Sequence, residues 1–279
     1  MHPTLVLGNA KIGLYGLCVV VGTAMGLLWL MRWREQLKVT DGGWGDFWKL
    51  LYILILSGAL GGKLGFVVVE WSFIREHPGA LAHTGWVYWF AVAGTMLAGR
   101  IYQLYMNKRL PRPRAYMPIA DYCVTAGAIG HWLGRVGCFL NACCHGRPTD
   151  VPWGVVFTSP AADIAPEFLG RRLHPTQLYE AAAELALALF LVHGALPRIR
   201  AKRWRQGTAF LLYIILYSVM RFCVEFLRGD DRGVFLVPVL SPSQWASAAG
   251  ALVAGFYLWK RGIAVRDPSL ETPYLDGKP

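Results

Sequence analysis

Seven apolar stretches, near residues 12–31, 50–70, 86–106, 118–136, 175–196, 207–227 and 235–259, constrain this chain more than any other feature. Each is close to the roughly 20 residues a helix needs to cross the hydrocarbon core of a bilayer. Hydrocarbon offers no partner to backbone N–H and C=O groups, so spanning segments must satisfy those groups internally, as helices do. Composition agrees. Of the residues, 55% are hydrophobic and 16% charged, whereas soluble domains carry about a quarter charged residues. The 12 tryptophans suit interfacial aromatic belts. The expected fold class is an all-α polytopic membrane protein with seven transmembrane helices. The fourth stretch is glycine-rich and interrupted by His131, so a re-entrant segment is the alternative there. No cleavable signal peptide is expected, since no small-residue cleavage site follows the first stretch.

Lys and Arg in the loops set the orientation. Arg32, Arg34, Lys38 and Lys49 follow the first stretch, and Lys108, Arg109, Arg112 and Arg114 follow the third. Arg198, Arg200, Lys202, Arg203 and Arg205 follow the fifth, and Lys260, Arg261, Arg266 and Lys278 follow the seventh. The alternate loops are poorer in cations, so the N-terminus is expected outside and the C-terminus in the cytoplasm. The net charge of +11 is spread over these loops, and no nucleic-acid partner is expected. With no internal repeat, residues 1–279 are expected to form a single membrane domain. A small extracytoplasmic cap over 138–173 is expected between the fourth and fifth spans, with a short strand in Val151–Phe157.

Three polar blocks interrupt the apolar pattern: Gly134–Asn141, Arg172–Glu180 and Arg221–Glu225. On this topology all three lie at the outer leaflet. Ionisable residues kept at membrane depth usually mark a site of chemistry. Arg135 and Arg221 stay charged and need an anionic partner, and the guanidinium fork matches phosphate oxygens. A phospholipid headgroup fits both, with His174 and Gln177 nearby. The alternative is an ion pair with Glu180 or Glu225, or snorkelling to the interface. Arg221 and Glu225 are four apart and share a helix face. Arg228, Asp230, Asp231 and Arg232 read as solvated charges. His174 precedes Pro175 at a helix start, as a cap, an interfacial residue, a general base or a headgroup contact.

Cys138, Cys143, Cys144 and His145 cluster in sequence, with His131 one helical stretch earlier. Their spacing is not that of a zinc ribbon. A disulfide, packed free thiols, and metal or catalytic use are all open readings, and no metal or cofactor is assigned.

The residues resemble the prolipoprotein diacylglyceryl transferase family of bacterial inner-membrane enzymes. The resemblance runs from Tyr15-Gly16-Leu17 to Ser241-Pro242-Ser243-Gln244. It is most specific at Gly134-Arg135-Val136-Gly137-Cys138-Phe139-Leu140-Asn141, His174-Pro175-Thr176-Gln177-Leu178-Tyr179-Glu180 and Arg221-Phe222-Cys223-Val224-Glu225-Phe226-Leu227-Arg228, with Asp121 also matching. It implies transfer of the diacylglyceryl group of phosphatidylglycerol to a lipobox cysteine of an exported prolipoprotein, with glycerol-1-phosphate leaving. It implies catalytic roles for Arg135, Arg221, His174 and Glu225. It implies substrate contacts for Arg135, Tyr15, Asn141, Gln177, Tyr179, Glu180 and Arg228. The partners implied are phosphatidylglycerol and prolipoproteins, and a monomer is expected.

The chain departs from the family pattern at several places. Cys138 stands where the family usually has Asn, and Cys143 where Glu is frequent. Lys63 stands where Arg is common. The third-span stretch Val87–Gly94 lacks the family's His and its paired glycines, leaving His131, His145 or His174 as replacement bases, or a site whose arginines acidify the thiol so that no base is needed. Two competing readings follow. One is a paralogue that acts on another thiol or lipid through Cys138, Cys143, Cys144 and His145. The other is a non-catalytic lipid-binding or transporter-like protein.

Overall fold

A computed structural model describes residues 4–7, 10–37, 44–79, 81, 87–110, 114–159, 161–230 and 239–265. Lys38, Arg112, Asp231, Arg232, Arg266 and Lys278 lie outside the described residues, as do 86 and 235–238 of the apolar stretches.

The chain is mostly helical. Helices α1 (Leu14–Arg32), α2 (Trp44–Val69), α3 (Trp71–Glu76), α4 (Tyr88–Asn107) and α5 (Met117–Asn141) come first. Then follow α6 (Thr176–Phe190), α7 (Leu196–Arg200), α8 (Thr208–Glu225) and α9 (Pro242–Arg261). A π-helical turn, Leu191–Ala195, joins α6 to α7. Each of the seven apolar stretches falls on one of the long helices. Four of these are long and apolar enough to cross a membrane: α1, α2, the continuous Thr176–Arg200 rod and α8. Two boundaries move. The second helix starts at Trp44, where aromatic residues and Asp46 dilute the hydropathy. The last helix starts at Pro242, behind Ser241, whose hydroxyl accepts from Gln244 N at 3.2 Å while Ser241 N donates to the Gln244 side chain at 3.0 Å. This is a capping box, and it fixes the helix start better than hydrophobicity does.

Burial is inverted relative to a soluble protein. Large apolar side chains point outward, among them Val20, Leu56, Val68, Leu97, Leu252 and Trp259. Gln103, Asp121, Glu180, Glu184, Arg221 and Gln244 are buried. A bilayer as solvent produces this pattern, because the outer face needs no polar groups and the inner polar groups must pair.

The chain divides into two compact units, Met1–Trp33 with Asp121–Tyr274, and Arg34–Ala120 with Leu275–Pro279. Within the second, α2 and α4 run antiparallel. Thr95 Oγ1 donates to Leu54 O at 3.2 Å partway along the pair, and Val87 N to Gly62 O at 3.1 Å where α4 begins. Lys63 Nζ donates to Leu81 O at 2.8 Å.

Within the first unit, α1 and α5 pack antiparallel through glycine. A Cβ on Gly22 would lie 2.5 Å from Gly130 O, and one on Gly130 would lie 2.7 Å from Gly22 O. Small residues give membrane helices this close approach, where the hydrophobic effect gives no drive to associate. Asp121, near the start of α5, accepts from Gly207 N at 2.5 Å and Phe210 N at 2.9 Å. It thus satisfies backbone donors at the N-terminus of α8, which that helix cannot satisfy itself. Beyond α5 the chain folds over 142–173. Strands β3 (Val155–Val156) and β4 (Arg172–Leu173) pair antiparallel, shorter than the expected 151–157 strand. Ala142, Phe157 and Leu173 are buried beneath Phe139, Ile164 and Phe168. Strands β1 (Thr4–Leu7) and β2 (Ala10–Gly13) pair antiparallel ahead of α1.

Candidate active site

Two side chains tie the start of α6 to the bend after α5. Thr176 Oγ1 donates to Cys144 O at 3.0 Å, and Gln177 Nε2 donates to Cys143 O at 2.8 Å. Gly146 lies against the same region, where a Cβ would come within 2.5 Å of His174 O and 2.8 Å of Leu227 O. Its N–H donates to His174 O at 3.0 Å, and Arg147 N donates to Leu227 O at 2.8 Å. The segment after α5, the start of α6 and the end of α8 are thereby held together.

On α6, Glu180 and Glu184 are four apart and face the same side. Both are fully buried. Glu180 draws three arginines from separate parts of the chain. Arg135 of α5 reaches it at 2.9 Å, Arg221 of α8 at 3.3 Å and Arg228 at 3.4 Å. Arg221 also pairs with Glu225 at 2.5 Å. Arg228 forms a two-pronged bond to Asp230, at 2.8 and 2.7 Å. Glu225 accepts from Ser241 Oγ at 2.7 Å, so the cap of α9 belongs to the same network. One turn along α6, Glu184 meets His131 Nδ1 at 2.9 Å. Removing ions from water costs several kcal/mol each, and pairing with further hydrogen bonds must offset it.

Of the residues singled out in sequence, Arg135, Arg221, Glu180, Glu225 and Arg228 meet in this network. Arg228 corrects the expectation of a solvated charge. It is only 8% exposed, because Asp230 and Glu180 supply the carboxylates that let it leave water. Gln177 is buried beside the network through its bond to Cys143 O. His174 and Tyr179 form a second group, with His174 Nδ1 3.3 Å from the Tyr179 hydroxyl, which accepts from Trp153 Nε1 at 2.7 Å. Asn141 turns toward the following segment and donates to Asp163 at 3.4 Å. Tyr15, 44% exposed, lies near Gly137, two residues along α5 from Arg135. Desolvation and the nearby Arg147 lower the pKa of His174 below the usual 6.5.

Sequence reading missed Glu184, took Asp230 for a solvated charge and named Ser241 only within the stretch that resembles the family. The spacing of Glu184 from Glu180 carried a signal, since a second acid at i+4 in an apolar helix needs its own partner. The three sulfurs of Cys138, Cys143 and Cys144 converge within 4.8 Å of one another, all as free thiols.

Of the network's three arginines, Arg135 is the most exposed. Arg135 keeps 15% of its side chain exposed, and its Nε finds no acceptor among the described residues. That Nε is itself shielded from solvent, so the exposed part of the guanidinium is what an anionic oxygen would meet first.

Comparison with known proteins gives the family. The family model described as prolipoprotein diacylglyceryl transferase matches residues 3–260. A phosphatidylglycerol–prolipoprotein diacylglyceryl transferase of Clostridium tetani is 33% identical over 258 residues, covering 92% of this chain and 96% of its own. A second, from Clostridium perfringens, is 31% identical over 255 residues, covering 89% and 90%. One from Geobacter sulfurreducens is 32% identical over 237 residues, covering 83% of each chain. On this evidence the chain belongs to the prolipoprotein diacylglyceryl transferase family.

Proposed function

We propose that this protein is a transferase of lipoprotein biosynthesis that moves the diacylglyceryl group of phosphatidylglycerol to the lipobox cysteine thiol of prolipoproteins, releasing glycerol-1-phosphate. The observation that carries the reading is the buried Glu180 carboxylate shared by Arg135, Arg221 and Arg228. Negative charge grows on the departing phosphate as the sulfur–carbon bond forms and the carbon–oxygen bond breaks. Donors already in place where charge develops lower the barrier without reorganising. Arg135 and Arg221 hold the phosphate, while Glu180 and Glu225 fix the two guanidinium planes. Gln177, Tyr179, Asn141, Tyr15 and Arg228 shape the headgroup and thiol positions. The thiolate is the nucleophile, and His174, kept neutral, is the candidate to take the thiol proton.

The membrane reading supports this chemistry. Helices α4, α5 and α9, at 20, 25 and 20 residues, are long enough to join the four apolar helices, which makes seven spans in one membrane domain. The cation-rich loops put the N-terminus outside and the C-terminus in the cytoplasm of a bacterial inner membrane. The site and the 138–173 cap then face the side on which exported prolipoproteins arrive, and a monomer suffices.

The test is transfer in vitro. Purified protein in detergent is mixed with phosphatidylglycerol and a peptide bearing a free lipobox cysteine. A diacylglyceryl mass shift on the peptide, with release of glycerol phosphate, is expected. No shift beside an active family member sinks the reading.

A further inference from the structure

The three cysteines beside the arginines take no part in the chemistry above. Cys138 lies in the last turn of α5, and Cys143 and Cys144 lie in the bend that follows. Adjacent residues ordinarily send their side chains apart. Here Ala142 and Cys144 adopt φ values of 61° and 60°, in a left-handed region that non-glycine residues avoid. Thr176 and Gln177 hold the carbonyls of Cys144 and Cys143 in place. The result of this enforced bend is that all three sulfurs fall within 4.8 Å of one another.

A disulfide uses two of these sulfurs and leaves the third over. A thiophilic cation uses all three. Zinc bonds thiolates at about 2.3 Å, which sets sulfurs about 3.8 Å apart in a tetrahedral site. That is about an ångström inside the present ceiling and within reach of small side-chain rotations. His145 follows in sequence but turns elsewhere. Its ring packs on Phe168 with centroids 4.8 Å apart, and its Nδ1 lies 3.0 Å from Gly146 O. The fourth position is therefore left to a ligand from outside. Three thiolates with one divalent cation carry a net negative charge. Arg228 lies close enough to Cys144, and Arg135 to Cys138 and Cys144, to interact electrostatically.

We propose that Cys138, Cys143 and Cys144 form a trithiolate site for one thiophilic d10 cation of the zinc class, with the fourth position open to an incoming thiol beside the arginines. The identity of that thiol rests on the transferase reading, in which the acceptor is a cysteine. A thiol that binds there gives up its proton, as metal-bound thiols do, to His174 as the base named above or to solvent. The substrate sulfur then stands as thiolate next to the arginine network, in a chain that lacks the family's third-span histidine.

The experiment uses the reduced, purified protein in detergent, stripped with a chelator and titrated with Zn2+ or, as a spectroscopic probe, Co2+. One ion per chain is expected, with a cobalt–thiolate charge-transfer band that disappears in the combined Cys138→Ser, Cys143→Ser, Cys144→Ser variant. A peptide with a free cysteine is expected to strengthen the band, and its serine counterpart to leave it unchanged. Absence of the thiolate band in the wild-type protein overturns the proposal. So does a disulfide between any two of the three, found by differential alkylation and mass spectrometry. Full transfer by the metal-free protein removes the role for the incoming thiol and overturns it too. A normal cobalt response to the peptide, with no transfer in any metal state, supports the site and counts instead against the transferase reading.

Discussion

Glu180 meets Arg135 at 2.9 Å with its carboxylate fully buried, and Arg221 and Arg228 share its other oxygen. One acid on α6 therefore balances cations from three separate segments. Replacing it with the isosteric amide leaves those cations crowded and under-neutralised.

For Glu180→Gln we expect a loss of stability of about 3–5 kcal/mol, the range for breaking a buried ion pair by removing one partner. Thermal unfolding in detergent checks this. An unchanged midpoint would mean that the arginines are balanced by other groups.

Arg221→Ala is expected to lower the transfer rate about 100-fold or more, the scale for deleting one donor to a developing anion. Arg221→Lys should recover only part of it, because an ammonium cannot span Glu180 and Glu225 as the guanidinium does. Rates on a lipobox peptide with well-folded variants decide the matter. Equal activity of wild type and Arg221→Ala would remove the phosphate-binding role.

Asp121→Ala leaves the N–H groups of Gly207 and Phe210 buried without their acceptor. A cost of about 1–3 kcal/mol is expected, seen as a lowered unfolding midpoint. Because Asp121 caps α8 and lies outside the arginine network, the folded fraction should keep its transfer rate per active molecule. A selective loss of turnover at normal stability would contradict this.

His174 titrates below 6.5 because desolvation and Arg147 disfavour its protonated form. Between the folded pKa and 6.5 the unfolded chain therefore binds more protons, so stability rises with pH in that window. The contribution of the neutral ring is complete above 6.5 and is lost as pH falls toward the folded value. His174→Gln should flatten this slope in unfolding midpoints compared at about pH 8 and about pH 5. An unaltered slope would show that other groups set it.

Much of this was legible in the sequence, for identifiable reasons. The seven apolar stretches located the long helices because hydrophobicity over 20 residues leaves few alternatives. Arg135, Arg221, Glu180 and Glu225 stood out because charge in an apolar helix is costly. Hydropathy alone misplaced the start of α9, since Val234–Leu240 is apolar and the Ser241–Gln244 cap is a local hydrogen-bond signal. Arg228 looked solvated because its neighbours are charged, and only the fold shows that Asp230 turns back to pair with it. The His131–Glu184 pair is 53 residues apart, a separation that no local pattern encodes.

The network also has a direction in time. Chains are made from the N-terminus, so α5 exists before α6, and α6 before α8. When Glu180 and Glu184 enter the bilayer, Arg135 and His131 have already been made. When Arg221 arrives, Glu180 awaits it and Glu225 travels on its own helix. Among the network's arginines, Arg135 alone is made before Glu180, and an arginine near a helix end can reach the interface until that partner comes. The order of translation is thus an order of neutralisation, in which hardly any charge must wait uncompensated in the lipid.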